Sequence, residues 1–344
     1  MIRQMRPERV TVIGAGSWGT ALAILLCHNI ERVLLWGRNT EAMEKMAKAR
    51  ANARYLPGIA FPRNLEIQPD FQRIGNDGLC FVVAVPSHGF RPTLENLKHH
   101  ILNHGFQLAD ATVIWGTKGF DPASGGLLSE AADEVLGHSV RCGVISGPSF
   151  AKETANSLPT ALTLACRSNA NAENMASWFR TPTTRVYFSD DLVGVQLGGA
   201  IKNVMAIAAG ISDGLGYGAN ARAALITRGL SELTRLGLAL GGKAETFMGL
   251  TGVGDLILTC TDDQSRNRRF GLALGAGTSK AEAIAEIGQE IEGINTVRKL
   301  FEISKNIDVD LPITEQVYRI IHQDHDPATA VQLLLQRNPR AESD

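Results

Sequence analysis

Three kinds of residue in this chain could do chemistry: a glycine-rich turn, lysines and an aspartate set among small residues, and a Ser-Arg-Asn triplet. The turn is Gly14-Ala15-Gly16-Ser17-Trp18-Gly19. It follows a strand-like run, Val10-Thr11-Val12-Ile13, and opens a helical stretch at Thr20. In that context the GxGxxG spacing is the phosphate turn of a dinucleotide site. Gly14 allows the tight turn, Gly16 lets the backbone approach a pyrophosphate, and Gly19 lets helix and strand pack closely. The helix start offers N–H groups and a positive dipole end to the phosphates. An NAD-specific site places an acid about 20 residues further on, for the ribose 2′-hydroxyl. Here the run is Leu35-Trp36-Gly37-Arg38-Asn39, with no acid and one arginine. A guanidinium can fork onto a 2′-phosphate or lie over adenine. NADPH is therefore the expected preferred cofactor, with NAD(H) accepted; a solvated loop cation is the plainer account of Arg38. The missing acid also counts against a methyltransferase, whose cofactor carries free ribose hydroxyls.

Lys202 sits in a helical stretch with Gly198 and Gly199 one turn back and Ala206 and Ala209 further on. Glycine inside a helix costs about 0.5–1 kcal/mol against alanine. Two of them suggest a close approach to the backbone, and a lysine beside such a groove could reach a substrate. A proton donor or cation is what a carbonyl needs on taking up a hydride. Lys118, in Thr117-Lys118-Gly119 after a strand-like run, could be a second cation there. Asp255, between Gly254 and a short apolar run, could bond Lys202 or a substrate hydroxyl, or serve as a plain helix cap. Asn203 and Thr259 could join that network. Ser265-Arg266-Asn267 combines a hydroxyl, a guanidinium and an amide at a predicted helix start, a combination suited to phosphate. Arg268 and Arg269 would enrich the local field. Among eight histidines, only His88 lies beside a cofactor-side loop.

The elements that must position these residues change character along the chain. Apolar, β-branched runs at 10–13, 33–36, 79–85, 112–115, 143–145, 160–165 and 185–188 alternate with helical stretches such as 20–29 and 41–53. That alternation predicts an α/β, Rossmann-type, doubly wound and mostly parallel sheet over residues 1–190. A mainly α-helical C-terminal domain is expected over 191–335, where apolar residues recur at helical spacing. Predicted helices lie at 221–240, 266–275, 279–287, 295–305 and 312–323, and 336–344 reads as a tail. A chain of 344 residues with 44% hydrophobic residues has material for two cores. Its net charge of −1 excludes a globally basic surface for nucleic acid, so anion binding must be local. The five cysteines form no CxxC pair or metal-ligand spacing and read as reduced, buried thiols. No apolar signal core stands at the N-terminus, and no run reads as the ~18 apolar residues of a membrane span. A cytoplasmic protein is the expectation.

Further segments add a resemblance. They are Val85-Pro86-Ser87-His88, Gly116-Thr117-Lys118-Gly119, Ser146-Gly147-Pro148-Ser149-Phe150-Ala151 and Gln196-Leu197-Gly198-Gly199-Ala200-Ile201-Lys202-Asn203. Gly252-Val253-Gly254-Asp255-Leu256 and Ser265-Arg266-Asn267-Arg268-Arg269-Phe270-Gly271 follow. With the glycine turn, this ordered series, spanning about 8 to 325, resembles the bacterial NAD(P)-dependent glycerol-3-phosphate dehydrogenases. The resemblance implies interconversion of dihydroxyacetone phosphate and sn-glycerol 3-phosphate, a role in phospholipid synthesis, and a homodimer. It implies Lys202 as the acid/base, and substrate contacts from Lys118, Gly147, Ser149, Lys202, Asp255, Ser265, Arg266 and Asn267. Cofactor contacts are implied for Gly14, Gly16, Ser17, Trp18, Gly19, Arg38, Asn39, Tyr55, Lys118, Ala151, Arg266 and Glu292. In Gln289-Glu290-Ile291-Glu292-Gly293, Glu292 matches the family's cofactor-side loop, while Glu290 stands where an apolar residue is common. Two other readings remain: a 6-phosphogluconate or β-hydroxyacid dehydrogenase with the same architecture, and a non-catalytic NADPH sensor.

Overall fold

A computed structural model of the chain describes residues 6–75 and 78–337. The chain divides into two compact units, Met1–Gln196 and Leu197–Asp344. Residues 338–344, most of the expected tail, lie outside the described residues.

The first unit is built on one sheet of eight strands among the described residues. They are β1 (Arg9–Ile13), β2 (Arg32–Trp36), β3 (Leu65–Gln68), β4 (Cys80–Val83), β5 (Thr112–Trp115), β6 (Arg141–Ser146), β7 (Thr160–Cys166) and β8 (Thr184–Ser189). Their order is β3-β2-β1-β4-β5-β6-β7-β8. β1 to β6 pair in parallel, β7 is antiparallel to β6, and β8 is parallel to β7. Successive side chains enter opposite cores. Val10, Val12 and Val82 pack on one face, and Ile13, Phe81 and Val83 on the other. The central strands are mostly apolar on both faces, as a sheet covered on both sides requires.

Sheet order reverses between β1 and β4, which makes a topological switch point. The loops after β1, β4, β5 and β6 leave the same edge of the sheet, since these strands are parallel. They carry the glycine turn, Ser87 and His88, Lys118, and Gly147 and Ser149 respectively. β3 has no counterpart among the apolar runs of the sequence. It is a four-residue edge strand, Leu-Glu-Ile-Gln, of which only Leu65 is fully buried, so its pattern is weak. The expected helix over 41–53 ends at Ala49, where Arg50 turns left-handed at φ 52°.

The second unit is helical. Beyond the expected elements it contains Asp255–Thr261 and a last helix, Pro327–Leu335, capped by Asp326, whose carboxylate accepts the Thr329 N–H at 2.8 Å. Contrary to the expectation that no run is apolar enough, the helix Leu192–Gly214 has the length and composition to cross a membrane. It is 94% buried over that window, and a helix apolar on every side is what a protein core requires. It lies backbone to backbone with Arg266–Gly275. A Cβ on Gly210 would come 2.2 Å from the Arg268 carbonyl oxygen, and one on Gly271 would come 2.1 Å from that of Ile207.

Glu232, in the helix Gly218–Ala239, is fully buried and caps the helix Pro312–His322 from inside the core. Its carboxyl accepts the N–H of Ile313 at 2.5 Å, the N–H of Thr314 at 3.1 Å and the Thr314 hydroxyl at 2.9 Å. Burial outweighs these bonds and pushes the carboxyl up from 4.5 to about 7. The folded state therefore holds this proton more tightly than the unfolded chain does. Its stabilising contribution is complete below about pH 4.5 and is lost as the pH rises through 7. Urea unfolding from pH 4.5 to 8 should show this decline, at most about 1.4 kcal/mol per pH unit from one proton. Glu232→Gln should flatten that part of the profile; an unchanged slope in the variant would assign it to other groups.

Candidate active site

In the first unit the glycine turn is shaped by contacts only glycine tolerates. Gly14 has φ +118°, and a Cβ there would lie 2.4 Å from the Ala84 carbonyl oxygen. A Cβ on Gly19 would lie 1.9 Å from the Gly14 carbonyl oxygen. Gly16 differs: a Cβ there would meet nothing within 4 Å. The protein leaves space at the one glycine whose sequence reading asks for a close-lying pyrophosphate. Ser17 and Trp18 begin the helix Ser17–Leu26, and no side chain caps it. The first-turn N–H groups have no partner within a helix and suit an anion.

Loops of the same unit carry other residues expected to contact a cofactor. A Cβ on Gly116 would come 2.5 Å from the Trp18 indole nitrogen, so Trp18 packs on the loop that carries Lys118. Lys118 is half-buried. Its loop is braced by Asp121, which accepts from Arg91 at 2.8 Å and from the Ser124 hydroxyl at 2.8 Å. Burial would push the Asp121 carboxyl up, but Arg91 and Ser124 together hold it below the usual range. Arg38 and Asn39 follow β2 and are exposed; the Asn39 side chain accepts the Ala42 N–H at 2.8 Å as a helix cap. Tyr55 is half-buried, with the Arg54 guanidinium 5.0 Å from its ring centre. Gly147 has φ +136°, and the Ser149 hydroxyl donates to its carbonyl at 3.1 Å. Ala151 opens the short helix Ala151–Ala155. His88 is exposed.

In the second unit Lys202 donates a hydrogen bond to Asp255 Oδ1. Lys202 is 7% exposed and Asp255 is fully buried. Asp255 is therefore an ion-pair partner, while Gly254 occupies the cap position before the helix Asp255–Thr261. The register that joins them is simple. Gly198 and Lys202 are one turn apart on one helix face, and Thr251 and Asp255 share the same spacing. A Cβ on Gly198 would come 2.1 Å from the Thr251 carbonyl oxygen. The segment Leu250–Gly254 thus lies on Gly198 and delivers Asp255 to Lys202. The close approach to the backbone expected beside Lys202 is made at Gly198 by the protein's own Thr251 carbonyl. The Thr259 hydroxyl donates to the Asp255 backbone carbonyl at 2.6 Å and lies 3.4 Å from Asp255 Oδ1.

The triplet lies at the start of Arg266–Gly275. The Ser265 hydroxyl caps that helix by accepting the Arg268 N–H at 3.2 Å. Asn267 donates to Asn203 Oδ1 at 2.9 Å and accepts the Gly293 N–H at 2.9 Å. Arg266 is half-buried and reaches Gln289 at 3.4 Å. Arg268 does not enrich the field as expected. It is buried and donates to Asp213 at 2.5 Å and to Asp263 at 2.9 Å, which neutralise it. Arg269 is exposed. Glu292 begins the helix Glu292–Asn306 and is half-buried, whereas Glu290 is exposed and accepts a 3.4 Å contact from Asn295. All five cysteines are free. Burial pushes the Cys27, Cys142 and Cys260 thiols up to about 12, which removes them as nucleophiles.

Residues 9–172 match the family model of the NAD-dependent glycerol-3-phosphate dehydrogenase N-terminus, and residues 191–332 that of its C-terminus. A glycerol-3-phosphate dehydrogenase [NAD(P)+] from Thioalkalivibrio sulfidiphilus is 53% identical over 98% of this chain and 100% of its own. The chain belongs to the glycerol-3-phosphate dehydrogenase family. The crystal structure of a glycerol-3-phosphate dehydrogenase from Coxiella burnetii superposes with a TM-score of 0.91 at 44% identity, covering 96% of this chain and 99% of that one. The enzyme from Saccharomyces cerevisiae gives 0.80 at 29% identity, covering 96% and 99%. This dehydrogenase is thus an NAD(P)-dependent oxidoreductase acting on a CH–OH group, as the ordered motifs implied. Asn52 is absent from the expected site residues, yet it is buried and bonded to the dehydrogenase's glycine turn. A lone asparagine in a polar loop carries no spacing signal that could have singled it out.

The glycine turn makes a two-part forecast. Gly16→Ala should melt within about 1 kcal/mol of wild type, since alanine is only a poorer cap there. It should nevertheless weaken NAD(P)H binding at least tenfold. Gly19→Ala should lose about 1–3 kcal/mol of stability through overpacking. Thermal melts and cofactor titrations separate the two, and normal affinity in folded Gly16→Ala would refute the pyrophosphate approach.

Proposed function

We propose that this chain reduces dihydroxyacetone phosphate to sn-glycerol 3-phosphate, and catalyses the reverse reaction, with Lys202 as the acid/base. The observation that carries the proposal is the buried Lys202–Asp255 pair, set in the same helical unit as the Ser265-Arg266-Asn267 helix start. When bound, the nicotinamide cofactor supplies a hydride to the carbonyl carbon. The carbonyl oxygen then becomes an alkoxide, and the Lys202 ammonium gives it a proton. The lysine recovers that proton from solvent, and the sequence runs backward for oxidation. Asp255 keeps the ammonium in place, and Thr259 braces Asp255. Lys118 serves as the second cation, binding substrate and cofactor. Gly147 and Ser149 offer backbone and hydroxyl contacts to the substrate.

The substrate phosphate is assigned to Ser265, Arg266 and Asn267. With Arg268 neutralised by Asp213 and Asp263, the anion site rests on Arg266 and the helix start. The cofactor is assigned to Gly14, Gly16, Ser17, Trp18, Gly19, Arg38, Asn39, Tyr55, Lys118, Ala151, Arg266 and Glu292. Exposed Arg38, in place of an acid after β2, supports a preference for NADPH over NADH. A cytoplasmic homodimer that feeds glycerophospholipid synthesis fits this activity.

A steady-state assay of NADPH and NADH oxidation, with dihydroxyacetone phosphate against a panel of oxo acids, tests the reading. Turnover should be confined to the phosphorylated ketone. Lys202→Ala should lower kcat by about 10²–10⁴-fold while the folded variant still binds NADPH. Near-normal turnover would sink the proton-transfer role. Arg266→Ala should raise KM for dihydroxyacetone phosphate more than it lowers kcat. Arg38→Asp should turn the enzyme toward NADH; a retained NADPH preference would remove Arg38 from the 2′-phosphate site.

A further inference from the structure

We propose that Asn52 is a positioning residue that aims the backbone of the glycine turn at the cofactor pyrophosphate and ties that turn to the segment bearing Tyr55. The inference rests on the assignment of the turn to a dinucleotide. Asn52 is 1% exposed and lies in the loop that follows the helix Thr40–Ala49. Its side-chain nitrogen donates to the Ala15 carbonyl at 3.0 Å and to the Thr20 hydroxyl at 2.8 Å. Its side-chain oxygen accepts the Tyr55 N–H at 3.2 Å. All three bonds are long-range or loop-closing, and together they use both amide hydrogens and one acceptor lone pair of the carboxamide.

The bond to Ala15 has a directional consequence. The Ala15–Gly16 peptide is trans and planar, so its carbonyl and its N–H point to opposite sides. Drawing the Ala15 oxygen inward onto a buried amide turns the Gly16 N–H outward. That is the residue around which the fold leaves open space. Thr20 holds the second amide hydrogen from the first helical turn, so the carboxamide spans the turn from its second residue to the helix it opens. A change in this side chain would let the Ala15–Gly16 plane rotate and remove a preset N–H from the phosphates. The same carboxamide holds the Tyr55 backbone, which couples that segment to the turn.

The test compares wild type, Asn52→Ala and Thr20→Val by melting temperature, by titration with NADPH and with ADP-ribose, and by cofactor KM and kcat. Asn52→Ala should weaken NADPH and ADP-ribose by the same factor, on the order of tenfold. The equal loss would place the effect at the ADP-ribose part they share, and it should appear in cofactor KM rather than in kcat. Thr20→Val keeps the Ala15 bond, so its affinity should stay within about twofold even if its melting temperature falls. If Asn52→Ala does not fold, Asn52→Ser replaces it, because a serine hydroxyl cannot span both Ala15 and Thr20. A lower melting temperature with unchanged affinity in the Asn52 variant would overturn the proposal, as would an equal loss of affinity in Thr20→Val. Wild type that binds neither ligand would overturn the dinucleotide reading itself, and the inference with it.

Discussion

A lysine ammonium and an aspartate carboxylate held together out of water set the strictest demand on the second unit. Removing two charges from solvent costs several kcal/mol per ion, and their attraction offsets this only when the geometry is close and other polar atoms are satisfied. The Lys202–Asp255 bond meets that demand through backbone packing. Gly198 admits the Thr251 carbonyl, and that contact sets the register in which Asp255 arrives opposite Lys202. A methyl group at residue 198 would collide with backbone, which cannot swing aside as a flexible side chain can. The pair therefore depends on an atom that is not there.

The same device places the Ser265-Arg266-Asn267 helix start. Glycines on Leu192–Gly214 and Arg266–Gly275 let the two helices meet at backbone distance, so the start of the second is held at a fixed position along the first. Asn203, one residue from Lys202, accepts from Asn267, one residue from Arg266. Asn267 in turn receives the Gly293 N–H at the start of the helix that carries Glu292. Lys202, Arg266 and Glu292 thus belong to elements joined by direct bonds. Rigidity of this kind lowers the reorganisation needed as charge develops on a reacting oxygen.

In the first unit the sheet does the positioning. Parallel strands send the loops after β1, β4, β5 and β6 to one edge, and the reversal of strand order at β1 and β4 is the switch point at which sheets of this kind bind ligands. Much of this was legible in the sequence. The runs at 10–13, 33–36 and 112–115 fall within β1, β2 and β5 because strands buried on both faces are apolar at most positions rather than at alternate ones. The helix predicted over 266–275 matches Arg266–Gly275, whose start is marked by the Ser265 cap. β3 escaped notice because a short, half-exposed edge strand needs few apolar side chains. Leu192–Gly214 was recognised as a helix but not as a membrane-like window, since length and hydropathy do not distinguish a core helix from a spanning one.

By itself the sequence determined the residue types the chemistry needs and the local elements that bear them. It supplied the glycines of the turn, an arginine in place of an acid at the end of β2, Lys118, Lys202 and Asp255, and the Ser265 helix start. Each of these is a local property of spacing, capping or charge, and an ordered series of them was enough to mark the family. Only the tertiary structure decided partnerships between residues far apart in the chain. It paired Lys202 with Asp255, neutralised Arg268 with Asp213 and Asp263, and filled the small-residue face at Gly198 with backbone. It also brought Asn52 under the glycine turn. The physical reason is the same each time: periodicity reports which side of an element is buried, but not which atom of another element buries it.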